Sequence, residues 1–167
     1  MKNTEWLKFT WDLNKIEAMN KLSEHYTVLI GKQSDFAEIK DTIIEAYLSD
    51  PAWLHSFNTL KDRMINRIMN TLGSSKCKYL IIIHNQKIVG VSGVAKEHET
   101  HQNLITGICI SSRYQKKGLG KYLLNRSLVE LREMGLNEAV VFTQATTIAA
   151  MKLYILFNSE RQSSNYY

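Results

Sequence analysis

The sequence predicts a mixed α/β domain of the α+β kind, with a mostly antiparallel central sheet flanked by helices. Three observations predict it. The hydrophobic period switches along the chain from spacings of three and four to a spacing of two and back again. Three extended runs follow one another between residues 79 and 110 with only polar connections, which implies an antiparallel meander. A helical segment then separates the third run from an apolar run at 138–143, and a strand, crossover helix and strand normally form a right-handed parallel pair.

Each element has its own local signal. Leu7 to Leu13 alternates apolar and polar side chains and reads as a strand or extended arm, as does Thr27 to Ile30, with polar Asn14 to Glu24 between them. Residues 1–25 therefore read as an N-terminal extension that could carry an extra strand, ahead of a single domain at 26–167. Ser34 is a plausible N-cap for a helix carrying Phe36, Ile39, Ile43 and Tyr47 on one face and ending before Pro51. Leu60, Met64, Ile68 and Leu72 mark a second helix, with Gly73 just past its end where a left-handed cap belongs. Tyr79 to Ile83 and Lys87 to Val94 flank a hairpin turn at His84-Asn85-Gln86, and Leu104 to Ile110 follows as the third strand. Gly118 to Met134 is a helix with a broad leucine face, closed by Gly135, and Glu138 to Thr143 is the strand parallel to 104–110. Thr147 to Phe157 reads as the last helix, with Asn158 as its stop.

Composition narrows the function classes. The chain has 167 residues, 44% hydrophobic and 22% charged with one proline, and no linker or repeat divides it. Its longest apolar runs, near 79–83 and 107–110, fall far short of the roughly 18 residues a membrane span needs. The N-terminus lacks the apolar core of a secretory signal, so the expected location is the cytoplasm. Cys77 and Cys109 are too few for a disulfide framework and lack zinc-site spacing, so thiols and no metal are expected. A net charge of +5 favours an anionic ligand, although a modest charge that keeps a small protein soluble is the stronger reading of that number alone.

The chemistry concentrates in Gln115-Lys116-Lys117-Gly118-Leu119-Gly120-Lys121, between a strand and a helix. A helix start offers N–H groups without intrahelical partners and a positive dipole end, and glycines let a phosphate approach the backbone. The third glycine of G-x-G-x-x-G is missing, since position 123 is Leu, and the G-x-x-x-x-G-K-[ST] spacing is absent too. The stretch instead resembles the Q/R-x-x-G-x-G/A signature of GNAT-type N-acetyltransferases. A second stretch, Thr147-Ile148-Ala149-Ala150-Met151-Lys152-Leu153-Tyr154-Ile155-Leu156-Phe157-Asn158-Ser159, resembles that family's N-x-x-A-x-x-L-Y-x-x-x-G-F helix. The order of elements is similar from about Tyr26 to Asn158.

The resemblance implies an acyl-coenzyme A site, acetyl-coenzyme A above all, and an amine acceptor. On the matching positions, Gln115, Lys116, Lys117, Gly118, Leu119, Gly120 and Lys121 would hold the pyrophosphate. Backbone groups of Ile108, Cys109 and Ile110 would meet the pantetheine arm in the slot between two splayed parallel strands. Thr147 stands where the family has asparagine in its cofactor-binding helix. Tyr154 falls on the family's tyrosine, a general acid for the departing thiolate, although a core tyrosine is an equal reading without the motif. The strand before the signature carries no acid to act as base. Glu97, His98, Glu99 and His101 lie just before it as candidates, although a solvated loop is the stronger reading of that cluster. Asn158 and Ser159 replace the family's glycine and aromatic residue, and the C-terminal strands are expected to be shortened. That would leave the edge of 138–143 to be met by the segment Leu7 to Leu13, by another subunit or by solvent, and of these a two-fold homodimer is the favoured reading. The rival readings are a non-catalytic acyl-coenzyme A binding or sensing domain and a nucleic-acid binder, the second without any recognisable reader motif.

Overall fold

Two sheets, not one, build the structure, and the computed structural model describes residues 5–96 and 101–164. The larger sheet joins β2 (Thr27–Ile30), β3 (Cys77–His84), β4 (Lys87–Ala95) and β5 (Leu104–Ile110) in sequence order, every pair antiparallel. This is the expected meander, extended at one edge by β2. The smaller sheet has the order β6 (Glu138–Gln144), β1 (Trp6–Asp12), β7 (Glu160–Ser164), again antiparallel. The β3–β4 turn is tighter than the sequence suggests, because His84 pairs with Lys87 and only Asn85 and Gln86 turn the chain. Both take positive φ, 48° and 63°, as a two-residue hairpin of matching twist requires.

The helices cover both faces of the larger sheet. α1 (Phe36–Leu48) and α2 (Phe57–Thr71) bury Ile39, Ile43 and Ile68 against Tyr79, Ile81 and Val91. On the other face α3 (Leu119–Glu133) packs Leu123, Leu124 and Leu128 with Leu80, Ile82 and Val89 and with Phe9 and Trp11 of β1. Alternate residues of β3 thus enter different cores, which is why its sequence is almost continuously apolar. The helix starts differ in detail from expectation. Asp35, not Ser34, holds the N-cap of α1, and Asp35 accepts a hydrogen bond from the Lys32 N–H at 2.8 Å. Gly73 and Gly135 take φ of 86° and 93° after α2 and α3, the left-handed caps their positions predict.

Two expectations about the C-terminal part are corrected. The favoured cover for the strand at 138–143, a second subunit, is replaced by the N-terminal one: β1 pairs with it from Trp6↔Gln144 to Asp12↔Glu138 and β7 adds to the far side of β1, while the other edge of β6 faces β5. The argument for a second subunit at that edge loses its premise. The final helix is also shorter than 147–157: α4 spans only Ile148–Lys152. Its end has a cause in the backbone, since the Tyr154 N–H reaches back to Ala149 O at 2.8 Å and Phe157 and Asn158 both turn left-handed at φ 60°.

Candidate functional site

β5 and β6 run side by side without pairing, and side chains span the gap. Asn103 accepts from the Val140 N–H at 2.6 Å and donates to Glu138 O at 2.8 Å, while Gln102 accepts from the Phe142 N–H at 3.1 Å. These amides tie the strands at one end. Beyond them the strands part, and a cleft of about 520 Å³ opens between β5, β6, α4 and the end of α1. The splay expected of this strand pair is present, in a stronger form in which the two strands belong to different sheets.

The wall formed by β5 is bent by a bulge. Between the pairs Ser92↔Ile108 and Val94↔Leu104, β4 has Gly93 where β5 has Ile105, Thr106 and Gly107. Gly107 takes φ 69°, and an added Cβ there would stand 2.8 Å from the Tyr154 hydroxyl, so only glycine fits. The bulge aims the Ile108 N–H into the cleft, where it donates to the Tyr154 oxygen at 3.1 Å. Alternation then decides which backbone groups line the slot. The Ser111 N–H turns to Val89 O on β4, while Ile110 O turns away to accept from the Gln115 side chain. Ile108 and Ile110 therefore present their backbone edges to the cleft. Cys109, two residues before Ser111, turns its backbone toward β4, contrary to its expected place on the pantetheine edge.

Tyr154 is buried, 3% exposed, with its ring against Phe9 and Trp11 at centroid distances of 5.7 and 6.0 Å. Burial pushes its phenol well above the ordinary tyrosine range, with the Ile108 N–H pulling slightly the other way. Because the oxygen already accepts from Ile108, its own hydrogen must point elsewhere. Burial likewise pushes the Cys109 thiol up to about 12 and raises the phenol of Tyr47, whose hydroxyl donates to Thr106 O at 2.7 Å. All three groups are protonated at neutral pH.

The loop before α3 closes one end of the cleft. Glu45 of α1 holds its 3₁₀ turn, accepting from the Ser112 hydroxyl at 2.5 Å and the Ser112 N–H at 3.1 Å. The Gln115 amide donates to Ile110 O at 3.1 Å and Ser49 Oγ at 3.3 Å. Lys116 and Gly118 then take positive φ, 62° and 80°, and α3 begins. Such a turn exposes successive N–H groups on a concave surface, continued by those of the first helical turn. Space around Gly118 is open, and a Cβ on Gly120 would make only ordinary contacts with Leu153 at 3.7 Å and Ile110 at 3.8 Å. Lys116 and Lys121 line the cleft, and Lys152 of α4, which the sequence did not single out, joins them. Lys117 does not line it, and the Leu119 side chain is buried in the core. Thr147 lines it too, but its hydroxyl is committed to Gln144 O and to the Ala150 N–H, so it caps α4.

Another wall of the cleft is built by Tyr47 and by the connection after α1, whose Ser49 is the partner of Gln115. Tyr47 stacks on Phe57 and tilts against Trp53, at centroid distances of 5.3 and 5.2 Å. Asp50 accepts from the Ala52 N–H and the Ile148 N–H, each at 3.0 Å, which joins the turn after α1 to the start of α4. Of the candidate bases, Glu97, His98 and Glu99 lie outside the described residues, and His101 is exposed and does not line the cleft. Among the described residues no helix is long and apolar enough to cross a membrane, and no His, Cys, Asp and Glu group could hold a metal ion.

Comparison with known proteins places this architecture. Residues 38–156 match the model of the acetyltransferase (GNAT) family, and the chain belongs to that family. The fold is similar to the X-ray structure of a Drosophila protein, with a TM-score of 0.66 at 12% identity over 96% of this chain and 48% of that one. A conserved protein of Staphylococcus epidermidis aligns with a TM-score of 0.65 at 10% identity, over 96% of this chain and 59% of that one. A GCN5-related N-acetyltransferase of Sphaerobacter thermophilus gives 0.59 at 12% identity, over 96% and 49%. The chain thus spans roughly half the length of these structures. No curated protein matches it in sequence.

Proposed function

We propose that the cleft binds acetyl-coenzyme A and that the protein transfers the acetyl group to an amine by direct attack in a ternary complex. The observation that carries this reading is the contact between the Ile108 N–H and the Tyr154 oxygen at the Gly107 bulge. It sets a protonated phenol, with its hydrogen free to point into the cleft, beside a strand edge that leads to the loop before α3. The pantetheine arm would add to β5 as a strand does, using the backbone of Ile108 and Ile110. The pyrophosphate would rest on the N–H groups from Gln115 to Lys121, with Lys116 and Lys121 supplying charge. The amine nitrogen forms a bond to the thioester carbon as the carbon–sulfur bond breaks. Tyr154 gives its proton to the sulfur, and the proton released by the new amide restores the phenol. Orientation of the two substrates supplies most of the rate.

Titration calorimetry with coenzyme A tests the binding half. Micromolar-range affinity is expected for the parent. Gly118→Glu and Gly120→Glu should abolish it, because a carboxylate on this loop repels the phosphates and the first adds strain at φ 80°. Unchanged affinity in both variants would show that the loop is not the phosphate site.

A further inference from the structure

Lys116 holds a strained backbone. Its φ of 62° lies in the left-handed region, and unlike Gly118 it carries a side chain that makes this conformation costly. Such a residue keeps its shape only where its neighbours hold it. On its C-terminal side Gly118 does so, since Gly118 O accepts from the Tyr122 N–H in the first turn of α3 at 3.2 Å. On its N-terminal side three side chains act. Two are those of Glu45 on Ser112 and of Gln115 on Ile110 O and Ser49 Oγ. The third comes from the end of β3, where His84 pairs with Lys87 beside the two-residue turn. His84 Nδ1 and the Tyr114 hydroxyl share a hydrogen bond of 3.0 Å, two residues before Lys116. The imidazole also packs on two phenol rings, with centroids 5.0 Å from Tyr26 and 5.3 Å from Tyr114. Both tyrosines are partly buried against the core that α3 covers. None of the three residues lines the cleft, so any effect they have on a ligand there passes through the backbone.

We propose that His84 is a positioning residue: through Tyr114 it holds the turn at Lys116 in the shape that presents its N–H groups to an anion, with Tyr26 steadying the ring. This rests on the acetyl-transfer reading for the identity of the anion, but not for the shape of the turn. The hydroxyl of Tyr114 can donate or accept, so the bond survives whichever nitrogen of the neutral ring carries the proton. Without the bond, Tyr114 is kept by packing alone and Lys116 can relax toward negative φ. The N–H groups of the turn then cease to converge in a fraction of the molecules, and affinity falls by that fraction.

Tyr114→Phe and His84→Phe each delete the bond and keep a ring in place. In calorimetry both should bind coenzyme A about three- to tenfold more weakly than the parent, the worth of one hydrogen bond. The double variant should bind no more weakly than either alone, because the two substitutions remove the same bond. His84→Asn, which puts an amide atom where Nδ1 stood, should recover most of the loss. In a Lys116→Gly background, where glycine takes φ of 62° freely, His84→Phe should change affinity by less than twofold. Amide exchange without ligand is the second readout. Ser112, Tyr114 and Tyr122 bond their N–H groups in and around the turn and should exchange about threefold or more faster in both Phe variants, while α2 keeps its rates. Unchanged exchange, or an affinity within twofold of the parent's in both variants, would overturn the proposal and leave His84 a packing residue. So would losses that add in the double variant or persist in full on Lys116→Gly. Should His84→Phe fail to fold, as its melting curve would reveal, Tyr114→Phe decides. If the parent binds no coenzyme A, the acetyl-transfer reading fails, and the exchange rates alone decide the role of His84.

Discussion

At the scale of the residue, packing and chemistry meet in Tyr154. Its ring belongs to the core with Phe9 and Trp11, while its oxygen sits at the mouth of the Gly107 bulge. Tyr154→Phe keeps the ring and removes the oxygen. It should cost about 0.5–1.5 kcal/mol of stability for the lost hydrogen bond and lower kcat roughly ten- to a hundredfold. Coenzyme A affinity should stay within twofold, and an unchanged kcat with chemistry rate-limiting would leave Tyr154 a packing residue only. Gly107→Ala makes the same point from the other side, since its methyl group would meet the phenol oxygen at 2.8 Å on a backbone held at φ 69°. It should lose at least as much kcat and lower the melting temperature. The left-handed turn before α3 was legible because glycines and a helix start leave local marks. The bond between Asp50 and the Ile148 N–H left none, because it spans 98 residues of chain.

At the scale of the element, β1 is the piece whose existence was legible and whose position was not. Alternation shows that Leu7, Phe9 and Trp11 share a face, but it does not show which edge the strand will meet. β1 runs between β6 and β7, and Phe9, Trp11 and Leu13 are wholly buried. The segment after it is tied down as well, since Asn125 of α3 bonds the Met19 N–H and Glu17 O. The Trp11 indole also donates to Leu156 O at 2.9 Å, which fixes the turn after α4 beside the phenol. Trp11→Ala should cost about 3–5 kcal/mol, read from urea denaturation. A loss below 1 kcal/mol would mean that β1 is not held in the middle of its sheet. The same substitution should depress acetyl transfer in the fraction still folded, because Trp11 supports the ring of Tyr154. The length of α4 was illegible for a related reason: its apolar spacing continues through Leu153 and Tyr154, while the backbone leaves the helix to place that phenol.

At the scale of the whole molecule, the two cores hold weak acids that burial keeps protonated. The phenols of Tyr47 and Tyr154 lie well above their ordinary range, and those of Tyr79 and the Cys109 thiol are each pushed up to about 12, in every case chiefly by burial. In the unfolded chain a cysteine releases its proton near 8.5 and a tyrosine near 10. Between those values and the folded ones, the unfolded state binds fewer protons than the folded state. Stability must therefore fall as pH rises through that window, and it is unaffected below about pH 8. Each such group contributes a slope of about 1.4 kcal/mol per pH unit while its two states differ by a full proton. Urea unfolding followed from pH 7 to 11 should give a plateau, then a decline that begins near pH 9 and steepens above 10. Tyr154→Phe and Cys109→Ala should each start from lower stability and decline less steeply, having one fewer proton to lose. The same burial keeps the phenol of Tyr154 protonated well above pH 9, so on the proposed mechanism kcat should not fall through loss of that proton before the fold itself gives way. A stability that stays level to pH 11 would mean that these groups reach water in the folded protein, and that the cleft floor is wetter than its packing implies.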